Sequence, residues 1–325
     1  MTVRRLVIVL GVLLGAWVAV ADPMIGVEAP GARLDHHGNW NLPLPTMGGK
    51  QVWRDHYVHG GWRIQENVLT GHFRLLDPDN WRRAWGRYED LRTHFDAMKI
   101  HHDIVPASDH LVVLLHGMAA LSPFSKTKVR LQEDGYDVID PRYPSTRDGI
   151  EAHAAGLARL LSQLDGTQRV SFVTHSMGGL VLRRLLADQA LWQGDLALGV
   201  VIMVAPPHQG AALAEVVHEL PGYDLILGTA GRQLMPEAAA TLPPLSQPFV
   251  IIAGGRGDGQ GYNPLLEGDD DGVVRLAETR LEGATHRYTV PALHMTIAND
   301  PTTQEIILDH LGRHTTVLSK QRPDP

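Results

Sequence analysis

From Pro106 onward the apolar residues fall in short runs that alternate with stretches of helical period, the pattern of strand–helix units that build a parallel sheet. Leu111 to Leu115, Asp137 to Asp140, Arg169 to Thr174, Leu198 to Val204, Phe249 to Ala253 and Tyr288 to Val290 are the predicted strands. Helices are predicted over about 125–134 with Gly135 as its stop, about 148–165, about 177–190, and from near Pro301. In the second of these Ile150, Ala154, Leu157, Leu161 and Leu164 share one face. Ahead of this region, Val52, Trp53, Tyr57, Val58, Trp62, Ile64 and Phe73 are broken by Gly60-Gly61, which predicts a strand pair joined at that turn. Trp81, Trp85, Tyr88, Leu91 and Phe95 follow at steps of 4, 3, 3 and 4 and predict a helix over 81–100. The chain therefore reads as an α/β domain over 106–315, preceded by an extended segment and small accessory layer over 22–105 and followed by a tail, 316–325. Sequential strand–helix units demand right-handed crossovers and put functional loops at the carboxyl ends of the strands.

The first residues do not fit that scheme. Arg4 and Arg5 precede the apolar run Leu6 to Ala21, and Ala19-Val20-Ala21 has the small-x-small form of a signal peptidase site, so residues 1–21 read as an export signal cut before Asp22. The expected location is periplasmic or secreted; the alternative is an uncleaved anchor in the inner membrane, for which the run is short. The sequence holds no cysteine, which excludes a disulfide framework, thiol chemistry and a lipid-modified cysteine anchor. At 325 residues, with 44% hydrophobic and 20% charged residues, the chain can bury a full core. A net charge of −7 without a dense basic run argues against nucleic acid as a partner.

With thiols excluded, a nucleophile must be sought among other groups. Val173-Thr174-His175-Ser176-Met177-Gly178-Gly179 lies between a predicted buried strand and an amphipathic helix, where a nucleophile elbow belongs. The turn is tight and needs small residues beside the serine; Gly178 and Gly179 meet that need, while Thr174 stands where the usual pattern has its first glycine. A serine needs a histidine to take its proton and a carboxylate to orient that histidine. Asp271 and His294 follow on loops after predicted strands in the expected order, giving the candidate triad Ser176, Asp271, His294. Asp258, Asp269 and Asp270 compete for the acid role, and His286 for the base. For the oxyanion, one amide is expected from Met177 at the helix start and the other from Met118, after His116-Gly117. Neither His36-His37 nor His101-His102-Asp103 has zinc-site spacing, and the acidic run at 269–271 lacks matched calcium ligands, so no metal or cofactor is assigned.

Together these residues resemble the serine α/β-hydrolases, in particular the lipase-like branch that includes bacterial triacylglycerol lipases and the lipase domain of GPI inositol deacylases. The matching pieces are Leu115 to Met118, Tyr143-Pro144-Ser145, Val173 to Leu180, Ala205 to Gly210, Asp271 to Val274 and His294. The resemblance implies an α/β-hydrolase fold, a mostly parallel sheet with helices on both faces. The family's carboxylate lies in an Asp-Gly-aliphatic-aliphatic stretch some twenty residues before its histidine, which favours Asp271. It also implies a helical cap, here about 208–245, with Leu213, Val216, Val217, Leu220 and Leu225 to Leu227 as its apolar residues. The expected activity is hydrolysis of carboxylic esters through an acyl-enzyme, on an ester or lipid substrate and with peripheral contact to membrane lipid. Acyl transfer on the same fold and a silent lipid- or envelope-binding module are the alternatives.

Overall fold

The computed structural model describes residues 33–34, 40–41, 52–101, 104, 108–118, 123–188, 192–194, 196–217 and 231–319. The export segment, most of the lead segment, residues 218–230 in the middle of the expected cap (with Leu220 and Leu225 to Leu227) and residues 320–325 lie outside them. The chain divides into two units, Met1–Thr46 and Met47–Pro325. In the first, strands β1 (Arg33–Leu34) and β2 (Trp40–Asn41) pair antiparallel. The second holds the remaining strands and the helices of the described residues.

Its N-terminal part is a four-stranded antiparallel sheet in sequential order, β3 (Trp53–His59), β4 (Trp62–Asn67), β5 (Phe73–Leu76) and β6 (Arg82–Gly86), followed by helix α1 (Tyr88–His101). Gly60-Gly61 joins β3 to β4 as predicted, but the sheet continues for two more strands and the helix starts seven residues later than Trp81. The cause is local. The Trp81 amide donates to Asp77 Oδ1 at 2.8 Å and the Asp77 amide to the Trp81 carbonyl at 3.0 Å, which folds the chain back so that Ala84 pairs with Leu75. Tyr57, Ile64, Leu75 and Ala84 pack with Leu91 and Phe95 of α1 as a core of their own.

The remainder winds around a six-stranded sheet in which every pairing is parallel: β7 (His110–Leu115), β8 (Asp137–Ile139), β9 (Arg169–His175), β10 (Ala197–Val204), β11 (Phe249–Gly254) and β12 (Ala284–Val290). The helices are α2 (Ser125–Glu133), α3 (Ile150–Leu161), α4 (Met177–Leu186), α5 (Ala212–Val217), α6 (Pro236–Ala240) and α7 (Pro301–Ser319). Side chains alternate between the faces of the sheet. Leu111, Val113, Phe172, Met203 and Ile251 join Leu157 and Leu161 of α3 and Leu180 and Leu185 of α4 in one buried cluster. Val112, Leu114, Val173, Ile202 and Ile252 join Leu131 of α2 and Ile307 and Leu311 of α7 in the other. Each such side chain contributes roughly 1.5–3 kcal/mol by leaving water, so both faces must be covered.

The strand order is β12-β11-β10-β9-β7-β8. The chain runs outward from β7 to β8, then returns to the other side of β7 to lay down β9 and continues to β12. Between β7 and β9 the winding direction reverses, and the loops leaving the carboxyl ends of these two strands diverge around a crevice.

Candidate active site

Ser176 stands at that crevice, between the end of β9 and the start of α4. Its backbone has φ 54° and ψ −128°, a conformation costing roughly 1–3 kcal/mol, held here by surrounding contacts. The Ser176 amide donates to the Val204 carbonyl at 2.9 Å, and the Gly179 amide to the Ser176 carbonyl at 2.9 Å. A β-carbon on Gly178 would lie 2.5 Å from the Leu115 carbonyl oxygen, and one on Gly117 would lie 2.8 Å from Ser176 Cβ. Glycine at both positions is what lets α4 and the loop after β7 close on the serine. Thr174 is fully buried and faces Gly179, where a β-carbon would lie 2.9 Å from Pro206 Cβ and 3.4 Å from the threonine hydroxyl, so the glycine leaves room for it. Ser176 is half-buried, whereas His175, Met177 and Gly178 on either side of it are buried.

The three residues expected to act together are in contact. His294 Nε2 lies 2.9 Å from Ser176 Oγ, and His294 Nδ1 lies 2.7 Å from Asp271 Oδ2. The carboxylate accepts the Nδ1 proton, which leaves Nε2 as the acceptor facing the serine hydroxyl. Asp271 Oδ1 accepts the amides of Val273 at 3.0 Å and Val274 at 2.7 Å, so this carboxylate is fixed on both oxygens. The His294 amide donates to the Asp271 carbonyl at 2.8 Å.

The competing acids have other partners. Asp258 is exposed and accepts the amides of Gln260 and Gly261 in its own turn. Asp269 accepts the amides of Arg256 and Gly257. Asp270, fully buried, accepts those of Tyr262, Asn263 and Gly272, and burial pushes its carboxyl above the usual carboxylate value. His286 is exposed within β12, its ring stacked on Tyr288 with centroids 6.3 Å apart. Met177 is the first residue of α4, and Met118 lies in the turn after β7, one residue past the glycine that abuts Ser176. Among the described residues, no cluster of three or more His, Cys, Asp or Glu side chains is placed to hold a metal ion.

Two residues at the site have roles that pattern reasoning left unassigned. His175 Nε2 donates to the His294 carbonyl at 2.9 Å, tying the residue before the serine to the loop of the histidine. Burial pushes the His175 imidazole down to about 3, so it is neutral at ordinary pH. Tyr143 donates its hydroxyl to the His116 carbonyl and stacks on the His116 ring with centroids 4.1 Å apart. A polar histidine closing an apolar strand was the available signal for the first; the second stands in Tyr143-Pro144-Ser145, a matching piece of the family resemblance that carried no role.

A parallel sheet of this strand order, with a serine on the strand-to-helix turn at its switch point, is the α/β-hydrolase fold. Among solved structures, the mature lipase BlEst2 of Bacillus licheniformis superposes with a TM-score of 0.53 at 22% identity, over 64% of this chain and 94% of that one. Phospholipase PlaB of Legionella pneumophila (TM-score 0.49, 17% identity) and a metagenomic carboxyl esterase (0.47, 19%) also match. The matched regions cover 65% and 58% of this chain and 63% and 66% of those proteins. At these identities the likeness concerns the fold. No protein-family model and no curated protein matches the sequence.

Proposed function

We propose that this protein is an exported carboxylic-ester hydrolase working through an acyl-enzyme. Ser176 Oγ attacks the ester carbonyl while His294 Nε2 takes its proton; the amides of Met118 and Met177 receive the negative charge on the carbonyl oxygen, with the start of α4 adding its partial positive charge. Collapse of the tetrahedral species expels the alcohol, protonated by His294, and leaves the acyl group on Ser176. Water, deprotonated by His294, then attacks the acyl carbonyl and releases the acid. Asp271 keeps the imidazole in the tautomer this needs and stabilises its cation. The cycle needs no cofactor.

The observation that carries the proposal is the hydrogen-bonded chain Asp271–His294–Ser176, with steps of 2.7 and 2.9 Å, on a strained, half-buried serine. Leu293 and Met295, 47% and 48% exposed, flank His294, and Tyr262, 37% exposed, lies beside Gly272; an apolar rim of this kind suits the acyl chain of a lipid ester and contact with a lipid surface. The helical cap expected over about 208–245 is part of the proposal, with residues 218–230 outside the described residues. Export rests on Arg4, Arg5, the apolar run to Ala21 and the Ala19-Val20-Ala21 pattern.

Hydrolysis of p-nitrophenyl esters of increasing acyl length, by the chain from Asp22 onward and by its Ser176→Ala variant, tests the reading. The expected result is turnover in the parent and a loss of at least about 10³-fold in the variant at unchanged thermal midpoint. Equal rates in the two folded proteins would sink it.

A further inference from the structure

The N-terminal antiparallel sheet lies outside the α/β-hydrolase core, yet a continuous set of contacts runs from it to the loop beside Ser176. Asp55 on β3 is the starting point. The residue is 2% exposed, and its carboxylate accepts Arg63 Nη1 at 2.5 Å, Gln65 Nε2 at 2.7 Å and the Arg142 amide at 2.9 Å. The Asp55 amide in turn donates to the Arg142 carbonyl at 2.9 Å. One residue of the N-terminal sheet therefore holds both backbone groups of residue 142, as a strand would. Arg63 adds a second clamp on the same loop, with Nη2 2.7 Å from Asp140 Oδ1 and Nη1 3.3 Å from the Asp140 carbonyl.

The next residue is Tyr143. Its ring lies between His116, stacked at 4.1 Å with planes 9° apart, and His153, with centroids 4.7 Å apart. Its hydroxyl donates to the His116 carbonyl. His116 Nδ1 donates to the Gly117 carbonyl at 2.8 Å. That carbonyl shares a peptide plane with the Met118 N–H, so whatever fixes the His116 ring also fixes the direction of the Met118 amide.

We infer that the N-terminal sheet is a buttress for the oxyanion loop, and that Tyr143 is the positioning residue through which Asp55 and Arg63 orient the Met118 amide. The inference rests on the ester-hydrolase reading, because it assigns Met118 the role given there. An amide aimed at the charge that develops on the carbonyl oxygen acts in the transition state more than in substrate binding, so a loosened buttress lowers kcat and leaves KM nearly unchanged.

The test compares the parent, Tyr143→Phe and Asp55→Asn on one p-nitrophenyl ester, with affinity for an alkylboronic acid as a second readout. A boronic acid adds to the serine and mimics the tetrahedral species, whereas a merely structural defect lowers the fraction of folded enzyme and leaves the affinity of the rest alone. Tyr143→Phe keeps the stacked ring and removes one hydroxyl. It is expected to lower kcat about ten- to a hundredfold with KM within about twofold, and to weaken boronic acid binding in proportion to kcat/KM. Asp55→Asn is expected to change the same quantities in the same direction, by less. Unchanged kcat and boronic acid affinity in Tyr143→Phe would overturn the inference while leaving the hydrolase reading intact. An effect in Tyr143→Phe with none in Asp55→Asn would overturn the role of the N-terminal sheet. A parent with no serine-dependent turnover would remove the hydrolase reading and this inference together.

Discussion

His153, His175 and His208 are 2%, 3% and 1% exposed, and burial pushes each imidazole from an ordinary value near 6.5 down to about 3. The folded protein holds them neutral at a pH where the unfolded chain would already bind protons. Their contribution to stability is therefore complete above about pH 6.5 and is lost as pH falls from there toward 3, at about 2 kcal/mol for each ring by pH 5. Asp96, held below the usual value by Lys99 and Arg92, and Asp165, held there by the Tyr57 hydroxyl, Lys99 and Arg92, both against the opposing effect of burial, lose their contribution only at lower pH. We expect urea midpoints to fall steadily between pH 6.5 and 4, and His208→Leu to take up about one proton fewer than the parent on unfolding at pH 5. An identical pH slope for parent and variant would contradict the assignment. The same scale explains what the sequence left open at the site. Ser176 and His294 could be read from order and context, but in the run Asp269-Asp270-Asp271 side-chain chemistry is constant. The family's Asp-Gly-aliphatic-aliphatic stretch favours Asp271, and the backbone is what sets one oxygen of Asp271 on the imidazole while Asp269 and Asp270 accept loop amides.

Among the elements, α4 depends on its first turn touching the end of β7. A β-carbon on Gly178 would meet two backbone oxygens, Leu115 O at 2.5 Å and His116 O at 2.9 Å, neither of which can rotate away. Gly178→Ala should push α4 from β7, destabilise the protein by about 1–3 kcal/mol and remove most of the serine's reactivity toward a fluorophosphonate. On Gly312, within α7, a β-carbon would meet nothing within 4 Å, so Gly312→Ala should raise stability by about 0.5–1 kcal/mol through helix propensity alone. Thermal midpoints moving in the same direction for both variants would count against this account. The six parallel strands were legible because buried strands are short, apolar and separated by helical periods. The errors have equally simple causes. Trp81 and Trp85 are four residues apart, which is close to one helical turn, but Trp81 ends the turn before β6 and Trp85 lies exposed within it, so the spacing spans the start of a strand and not a helix face. β12 begins at Ala284, four residues before the predicted start, because Thr285, His286 and Arg287 are exposed on an edge strand and carry no apolar signal.

For the whole of Met47–Pro325, the question is whether the antiparallel layer and the parallel layer melt as one body. Three kinds of contact join them. Asp165, just before β9, takes the Tyr57 hydroxyl at 2.8 Å, Arg92 Nη2 at 2.9 Å and Lys99 Nζ at 3.0 Å, but its side chain is 43% exposed and such pairs contribute about 0–1 kcal/mol. The Asp55–Arg63–Asp140 set is different: the Asp55 carboxylate has no exposure and Arg63 only 10%. Removing Asp55 leaves the buried Arg63 with one of its two carboxylates and orphans Gln65 Nε2 and the Arg142 amide, at a cost of about 3–5 kcal/mol. Val58 of β3 also belongs to the buried cluster that includes α3 and α4, so apolar contact runs through the junction. In the chain from Asp22 onward carrying Trp40→Phe and Trp192→Phe, the second of which lies in the parallel core, Trp53, Trp62, Trp81 and Trp85 report on the antiparallel layer, and labelling of Ser176 by a fluorophosphonate reports on the parallel one. Under urea the two signals should disappear at one midpoint. In Asp55→Ala both should shift together by far more than in Asp165→Ala. A tryptophan transition that precedes the loss of labelling would mean the layers unfold separately. The buttress would then have to act only while the weaker layer is folded, and serine reactivity would fall in two steps rather than one.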